Sequence, residues 1–401
     1  MRLLVASEAH FVAAPDGSIY AQGAEDYGFW SSYLDSFDEV GVLARMMSGP
    51  AQAGASRADG PGVRFHELHN YCGPWEYLGR LARLRPQARQ ALNRYMRGDA
   101  LLLRAPGAIA YLAWNEIQRS NPRKPYAVEV LGDPWESLAG SAGVWSGVAR
   151  RWSRNFLRRI CRYSSATCYV TRSCLQERYP GQGMIFSCSD VRLRRPAGEA
   201  ELKQRRRRAE QAASGERPWE IGFIGSLERL YKAPDVHLHA IRICLDRGID
   251  LRFSAACEGR NRRSLERLAA GLGISSKVRF LGALPPGPAI DNFLDGIDLF
   301  VIGSRTEGLP RALVEAMARG CPAVGSTAGG IPELLPTSEL VEPGRAAPLA
   351  GKIAEVLRDP ARLAVMSRRN RAVSESFSLE SLGPVRREFL NQVRRLTAEF
   401  A

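Results

Sequence analysis

The stretch Leu299–Leu335, LFVIGSRTEGLPRALVEAMARGCPAVGSTAGGIPELL, constrains the fold of this chain more than any other. It opens on four apolar residues, Leu299 to Ile302, a length that suits a buried parallel strand. The loop Gly303 to Gly308 leads into a helix that begins near Pro310 and stops at Gly320. Proline at the first helical position and glycine just past the last are the usual punctuation of a helix. A second short strand, Pro322 to Gly325, runs into a loop carrying Gly329 and Gly330. Strand, helix and strand in so few residues make a βαβ unit, and open parallel sheets bind their ligands at the carboxyl ends of the strands.

Two glutamates flank the start of that helix, Glu307 before it and Glu315 inside it, with seven residues between them. Free N–H groups and the positive dipole end at a helix start can hold a diphosphate. Glu315, about a turn and a half further on, can reach a ribose hydroxyl pair of the same ligand. The spacing of Arg311, Glu315 and Arg319 also fits a solvated salt-bridge stripe, in which each pair contributes about 0.2–0.5 kcal/mol. Spacing alone does not choose between the two.

The wider stretch resembles the E-x7-E signature of family 4 glycosyltransferases, here Glu307-Gly-Leu-Pro-Arg-Ala-Leu-Val-Glu315, followed by Ala316-Met317-Ala318 and Gly329-Gly330-Ile331-Pro332-Glu333. The resemblance is dense over 219–335 and diffuse over 1–190. It implies two facing Rossmann-like α/β domains (GT-B) with a C-terminal crossover helix, and a retaining, metal-independent hexosyltransferase. The substrate implied is a nucleotide diphosphate sugar, with no other cofactor. In such an enzyme Glu315 grips the ribose and Glu307 the sugar hydroxyls. Gly225, Ser226, Gly308, Leu309, Pro310 and Arg311 complete the donor site, and Lys232 and Arg229 stabilise the departing diphosphate. No covalent nucleophile stands out, which fits a front-face mechanism.

Lys232 and Arg229 belong to Phe223-Ile224-Gly225-Ser226-Leu227-Glu228-Arg229-Leu230-Tyr231-Lys232, which follows a strand and precedes a helix. Gly225 permits a tight turn. Cations fixed where a leaving diphosphate gathers charge stabilise the transition state more than the ground state. The family usually carries a basic residue where this chain has Ser226, which shifts that work onto Arg229. An exposed basic loop is the other reading, although the chain has only five lysines. Asp133 stands where relatives often place a His or Asp toward the donor sugar; it also suits a helix cap or turn before Pro134. His10 ends the first strand, while His237 and His239 point apart on one helix and receive no role. No Asp-x-Asp pair occurs to hold a divalent metal at a diphosphate.

With 401 residues and 45% hydrophobic content, the chain has enough material for two packed domains. Its eight cysteines show no C-x-x-C spacing and read as reduced, mostly buried thiols. No signal peptide or membrane span is expected, which points to the cytoplasm. The net charge of +14 suits nucleic acid, an anionic membrane or a phosphorylated substrate alike.

Strands are expected at Met1–Ala6, Asp38–Leu43, Val63–Leu68, Ala100–Leu103, Tyr126–Leu131 and Ala166–Thr171. A helix carrying Tyr20, Tyr27, Trp30 and Tyr33 follows the first strand, and another from Tyr77 to Met96 is broken or kinked by Pro86. Such alternation describes a doubly wound domain over 1–195. Residues 196–218, with Arg205 to Arg208, read as a solvated, partly helical linker. A donor-binding domain over 219–383 and a terminal helix over 384–401, returning to the first domain, complete the chain.

In the helix Trp145 to Tyr163, Arg150, Arg154, Arg158 and Arg162 form one stripe and Trp145, Val148, Trp152, Phe156 and Ile160 another. Such a helix either lies on an anionic membrane or packs its apolar side into the core. Arg80, Arg83, Arg89, Arg94 and Arg97 add to the same basic face if the two helices are neighbours. On the membrane reading the expected acceptor is a saccharide, lipid-linked at the inner membrane face in cell-surface polysaccharide synthesis. Competing readings are a soluble acceptor, a sugar-nucleotide epimerase or hydrolase on the same fold, and a nucleic-acid-binding protein.

Overall fold

The computed structural model describes the chain except residues 22, 24, 52–54, 97, 135–143, 194 and 401. Trp135 and Arg97 therefore lie outside the described residues, as does the side chain of Trp145. The chain forms two compact units, Met1–Pro134 with Arg151–Cys188 and Gly383–Ala401, and Trp135–Arg150 with Ser189–Leu382.

The first unit carries β1 (Arg2–Ala13), β2 (Ile19–Ala21), α1 (Tyr27–Ser31), β3 (Glu39–Ser48), β4 (Ser56–Arg57), β5 (Val63–His69), α2 (Gly73–Asn93), β6 (Ala100–Ala105), α3 (Ala108–Ser120) and β7 (Ala127–Val130). Then follow α4 (Val144–Arg162), which joins it from Arg151 onward, β8 (Ala166–Tyr169), α5 (Cys174–Arg178) and β9 (Met184–Ser187). Its parallel strands run β5-β3-β1-β6-β7-β8-β9. β1 is twice the expected length. Past Ala6 it bulges, three of its residues standing against one of β3, and then turns back as a hairpin into β2. Tyr20 consequently lies on a strand and not on the expected helix.

Two further expectations change. α2 runs through Pro86 as one helix, so the proline does not break it. α4 buries only part of the apolar stripe read from its sequence: Ile160 faces the core together with Ser153, Leu157 and Cys161, whereas Val148 and Trp152 are exposed. Its neighbour α3 decides this. Phe156 packs edge-on against Tyr111 and Trp114, and Ser153 pairs with the Tyr111 hydroxyl, so the face against α3 takes in one end of the stripe and the polar Ser153 and leaves the other end outside.

The second unit holds α6 (Glu199–Ala213), β10 (Trp219–Ser226), α7 (Pro234–Asp246), β11 (Leu251–Glu258), α8 (Arg262–Gly271), β12 (Val278–Phe280), α9 (Pro288–Gly296), β13 (Leu299–Ile302), α10 (Arg311–Ala318) and β14 (Ala323–Ser326). β15 (Leu340–Val341), α11 (Ala346–Leu357) and α12 (Pro360–Ser374) follow. Its sheet is wholly parallel in the order β12-β11-β10-β13-β14-β15, so the strand order reverses between β10 and β13. Phe223, Phe253, Ile241, Val301 and Leu349 fill its core.

Segment 196–218 is no solvated connection. α6 buries Arg205, whose guanidinium donates to the carbonyls of Leu294, Ile297 and Arg319 and so satisfies the orphan end of α9 and the turn after α10. The last helix, α13 (Leu379–Phe400), belongs from Gly383 onward to the first unit. There Phe389 meets Phe186, Arg386 lies 3.6 Å from Glu129, and Arg394 donates to the Ser36 carbonyl.

Candidate functional site

Both loops at the strand-order reversal carry chemistry. Gly225 lies in the last residues of β10 and not in a tight turn, and after Ser226 the chain makes a 3-10 turn over Leu230–Lys232 before α7. After β13 it forms the loop 303–310 that leads into α10, with Pro310 at the cap position. Lys232 Nζ donates to Glu307 Oε1 at 2.8 Å, a pair formed across the reversal from residues 75 apart in sequence. Ser304 Oγ donates to the same oxygen at 2.8 Å. Glu307 is only 8% exposed. Burial works against the Lys232 ammonium, but Glu307 and Tyr231 outweigh it, and its pKa stands above the ordinary lysine value. Gly225 makes room for the lysine: a Cβ there would lie 2.6 Å from the Lys232 side chain.

Several bonds hold the Glu307 loop. Arg305 N–H donates to the Tyr231 carbonyl at 2.7 Å, and the Arg305 guanidinium donates to both oxygens of Asp235. Gly303 N–H donates to His237 Nε2 at 2.8 Å. From the other side, Ser326 Oγ donates to the Ser304 carbonyl and Gly330 N–H to the Gly308 carbonyl. Gly329 adopts φ +55°, and a Cβ there would lie 1.8 Å from the Glu307 carbonyl oxygen.

Glu315 differs from Glu307. Its carboxylate accepts no hydrogen bond from the described residues, and burial raises its pKa, with Arg311 opposing. The salt-bridge stripe does not exist, because Arg319 is buried and turned to Asp295 at 2.5 Å. Arg311 is exposed at the helix start, Leu309 is buried and Gly308 half-buried. Ser226 is exposed and its Oγ accepts from the Glu228 N–H, while Arg229 is exposed beside the 3-10 turn.

In the first unit, Asp133 is buried and already engaged, accepting from Arg178 at 2.8 Å and from the Tyr179 hydroxyl. The half-buried imidazole of His10 is pushed below its ordinary value by burial and by Arg45. Arg158 donates to the Arg178 carbonyl and is exposed, as is Arg162, whereas Arg150 and Arg154 are half-buried.

Sequence reasoning missed Ser304, Ser326 and His237. The first two look like ordinary loop serines, and no local pattern shows that the Gly303 N–H needs a side-chain acceptor. Burial drives the His237 pKa down to about 3 from its ordinary 6.5, with Asp235 opposing and Arg305 and Lys232 adding to the effect. Below pH 6.5 the unfolded chain therefore binds a proton that the folded one refuses. Stability should fall there by about 1.4 kcal/mol per pH unit from this group, and the contribution is absent above it. Urea midpoints at pH 7.5 and 5 should separate less for His237→Gln than for the wild type; equal separations would exclude this source.

Doubly wound parallel domains with functional groups gathered at the strand-order reversal are the class that binds nucleotides. Residues 204–373, which contain the whole site of the second unit, match the family glycosyl transferases, group 1. Residues 204–373 are therefore a glycosyltransferase domain of that group, and the chain that carries them is a glycosyltransferase. Protein CapJ of Staphylococcus aureus is 23% identical over 301 residues, 75% of this chain and 73% of that protein. Among solved structures, sucrose-phosphate synthase from Thermosynechococcus elongatus superposes with a TM-score of 0.70 at 16% identity, covering 100% of both chains. HepE from Anabaena in complex with UDP-glucose gives 0.63 at 17%, again over 100% of both. These structures share the GT-B fold with this chain.

Proposed function

We propose that the chain transfers a sugar, with retention, from a nucleoside diphosphate sugar to a saccharide acceptor carried on a lipid. The observation that carries the donor half is the Lys232–Glu307 pair at the reversal of the second sheet, beside a Glu315 carboxylate that accepts no hydrogen bond from the described residues. HepE, which shares the fold, holds UDP-glucose. Glu315 takes the ribose hydroxyls and Glu307 a sugar hydroxyl. As the bond from the anomeric carbon to the diphosphate oxygen breaks, Lys232 and Arg229 take up the developing charge with the N–H groups at the start of α10. The acceptor hydroxyl forms the new bond on the same face and gives its proton to the departing phosphate.

Because protein cations occupy the diphosphate position, transfer should not need a divalent metal. A panel of nucleotide sugars should include one that raises the melting temperature and is consumed only when an acceptor is present, with or without EDTA. Consumption without any acceptor would favour a hydrolase or epimerase, and loss in EDTA reversed by magnesium would overturn metal independence.

The acceptor half rests on the outer face of the first unit. Tyr77 of α2 reaches the Ala108 carbonyl and Trp152 of α4 meets Tyr111 a turn later, so α2 and α4 flank the same part of α3. Trp75 is 81% and Trp152 57% exposed. Arg83, Arg85, Arg89, Arg151, Arg158, Arg159 and Arg162 are exposed on the same two helices, and α4 contains no acidic residue. Among the described residues no helix is long and apolar enough to cross a membrane. Tryptophan set among arginines suits the interface of an anionic bilayer, where each cation adds about 1 kcal/mol. The protein should sediment with phosphatidylglycerol vesicles, less so in high salt, and not with pure phosphatidylcholine. Changing Arg151, Arg158, Arg159 and Arg162 to Gln together with Trp75 and Trp152 to Ser should release it; unchanged sedimentation would leave a soluble acceptor as the better account.

A further inference from the structure

We infer that His237 is a positioning residue of the donor site: its neutral imidazole anchors Gly303 and so sets the loop that presents Glu307 to Lys232. The inference rests on the donor reading above and deepens it.

The ring is 1% exposed and lies edge-on to Phe223 at 4.8 Å and to Phe253 at 6.1 Å. Gly303 N–H donates to its Nε2, so the ring's one proton must sit on Nδ1. Nδ1 is buried and finds no partner among the described residues. A polar N–H enclosed by aromatic rings without an acceptor works against folding, and an apolar side chain would avoid it. What the histidine supplies in return is an acceptor at the one point where β13 ends and the loop begins. Gly303 fits against it closely, since a Cβ at that position would meet Nε2 at 3.0 Å.

The next residues do the work of the site. Ser304 donates to Glu307, Arg305 is tied to Tyr231 and Asp235, and Glu307 receives Lys232. Every one of the partners Tyr231, Lys232, Asp235 and His237 comes from the short segment that leads from β10 into α7. This segment therefore fixes the loop along its length, and His237 holds its first residue. Without that bond the chain can rotate at Gly303, and the offset carries forward to Glu307 four residues later. Thr306 Oγ1, in the same loop, is also buried without a partner among the described residues. The loop's place is thus set by its anchors rather than by full satisfaction of its own polar groups.

The test compares the wild type with His237→Leu, which removes the acceptor, and His237→Gln, which can restore one. Amide hydrogen exchange of the ligand-free protein reads the loop, and calorimetry with UDP as probe reads the site. His237→Leu should speed exchange in 303–308 while 299–302 stays protected, and should weaken UDP at least tenfold with little change in melting temperature. His237→Gln should stay within about threefold of the wild type. Unchanged exchange in His237→Leu overturns the anchoring, and faster exchange with wild-type UDP affinity overturns the positioning role. Parallel losses of affinity and melting temperature in both variants would reduce the histidine to a packing residue. A wild type that binds neither UDP nor a UDP-sugar sinks the donor reading itself, which is a different result from a variant that matches a UDP-binding parent.

Discussion

Lys232→Ala should lower the transfer rate at subsaturating donor by roughly ten- to a hundredfold, the loss of one charge-assisted contact worth about 1.5–3 kcal/mol. It should also lower stability, because Glu307 is left as a buried carboxylate without its cation. Breaking a buried pair from one side is strongly unfavourable, up to about 3–5 kcal/mol, although here the Ser304 hydroxyl still donates and moderates it. Lys232→Ala combined with Glu307→Gln should therefore regain stability without regaining transfer. Glu315→Gln should share the loss of transfer with Lys232→Ala but not its loss of stability. Its carboxylate has no hydrogen-bond partner among the described residues and its pKa is raised by burial, so the amide should leave stability unchanged or raised while donor use falls. Rates at low donor and urea midpoints on the four proteins decide the matter. A Lys232→Ala enzyme working at the wild-type rate would remove the lysine from the mechanism.

Gly329→Ala should be the most damaging single methyl group in the second unit. The left-handed backbone at φ +55° is the smaller part of the difficulty, at about 1–2 kcal/mol for an alanine. The larger part is the Glu307 carbonyl oxygen, 1.8 Å from the new Cβ, with the carbonyl carbon at 2.5 Å. Neither atom belongs to a side chain that can rotate away, so one of the two loops must move. That movement breaks the bond from Gly330 N–H to the Gly308 carbonyl and displaces Glu307 from Lys232. We expect a loss of about 3 kcal/mol or more in stability, combining strain and a lost hydrogen bond, and a rate reduced at least tenfold. Gly351→Ala is the control. Gly351 lies within α11 with nothing inside 4 Å of the added Cβ, and there alanine should stabilise by about 0.5–1 kcal/mol. Similar melting temperatures for the Gly329 variant and the wild type would show that the two loops are not locked together.

The alternation of apolar strands with helices, the βαβ unit at 299–325 and the punctuation by Pro310 and Gly320 were legible in the amino-acid order, because each depends on residues a few positions apart. The same is true of the two glutamates and of the segment carrying Lys232. What the linear order left open was which partners those groups take. Arg311, Glu315 and Arg319 read equally as a stripe until Arg319 turned inward to Asp295. The outward face of α4 depended on Tyr111 and Trp114 of α3, and the burial of Arg205 on carbonyls about ninety residues away. His237 received no role from its spacing, since its acceptor nitrogen matters only once β13 ends beside it. Local periodicity determines where elements form and which loops can carry chemistry. Side-chain pairing across the sheet depends on groups distant in the chain, and so only the tertiary structure decided that Glu307 meets Lys232 and that Glu315 accepts no hydrogen bond from the described residues.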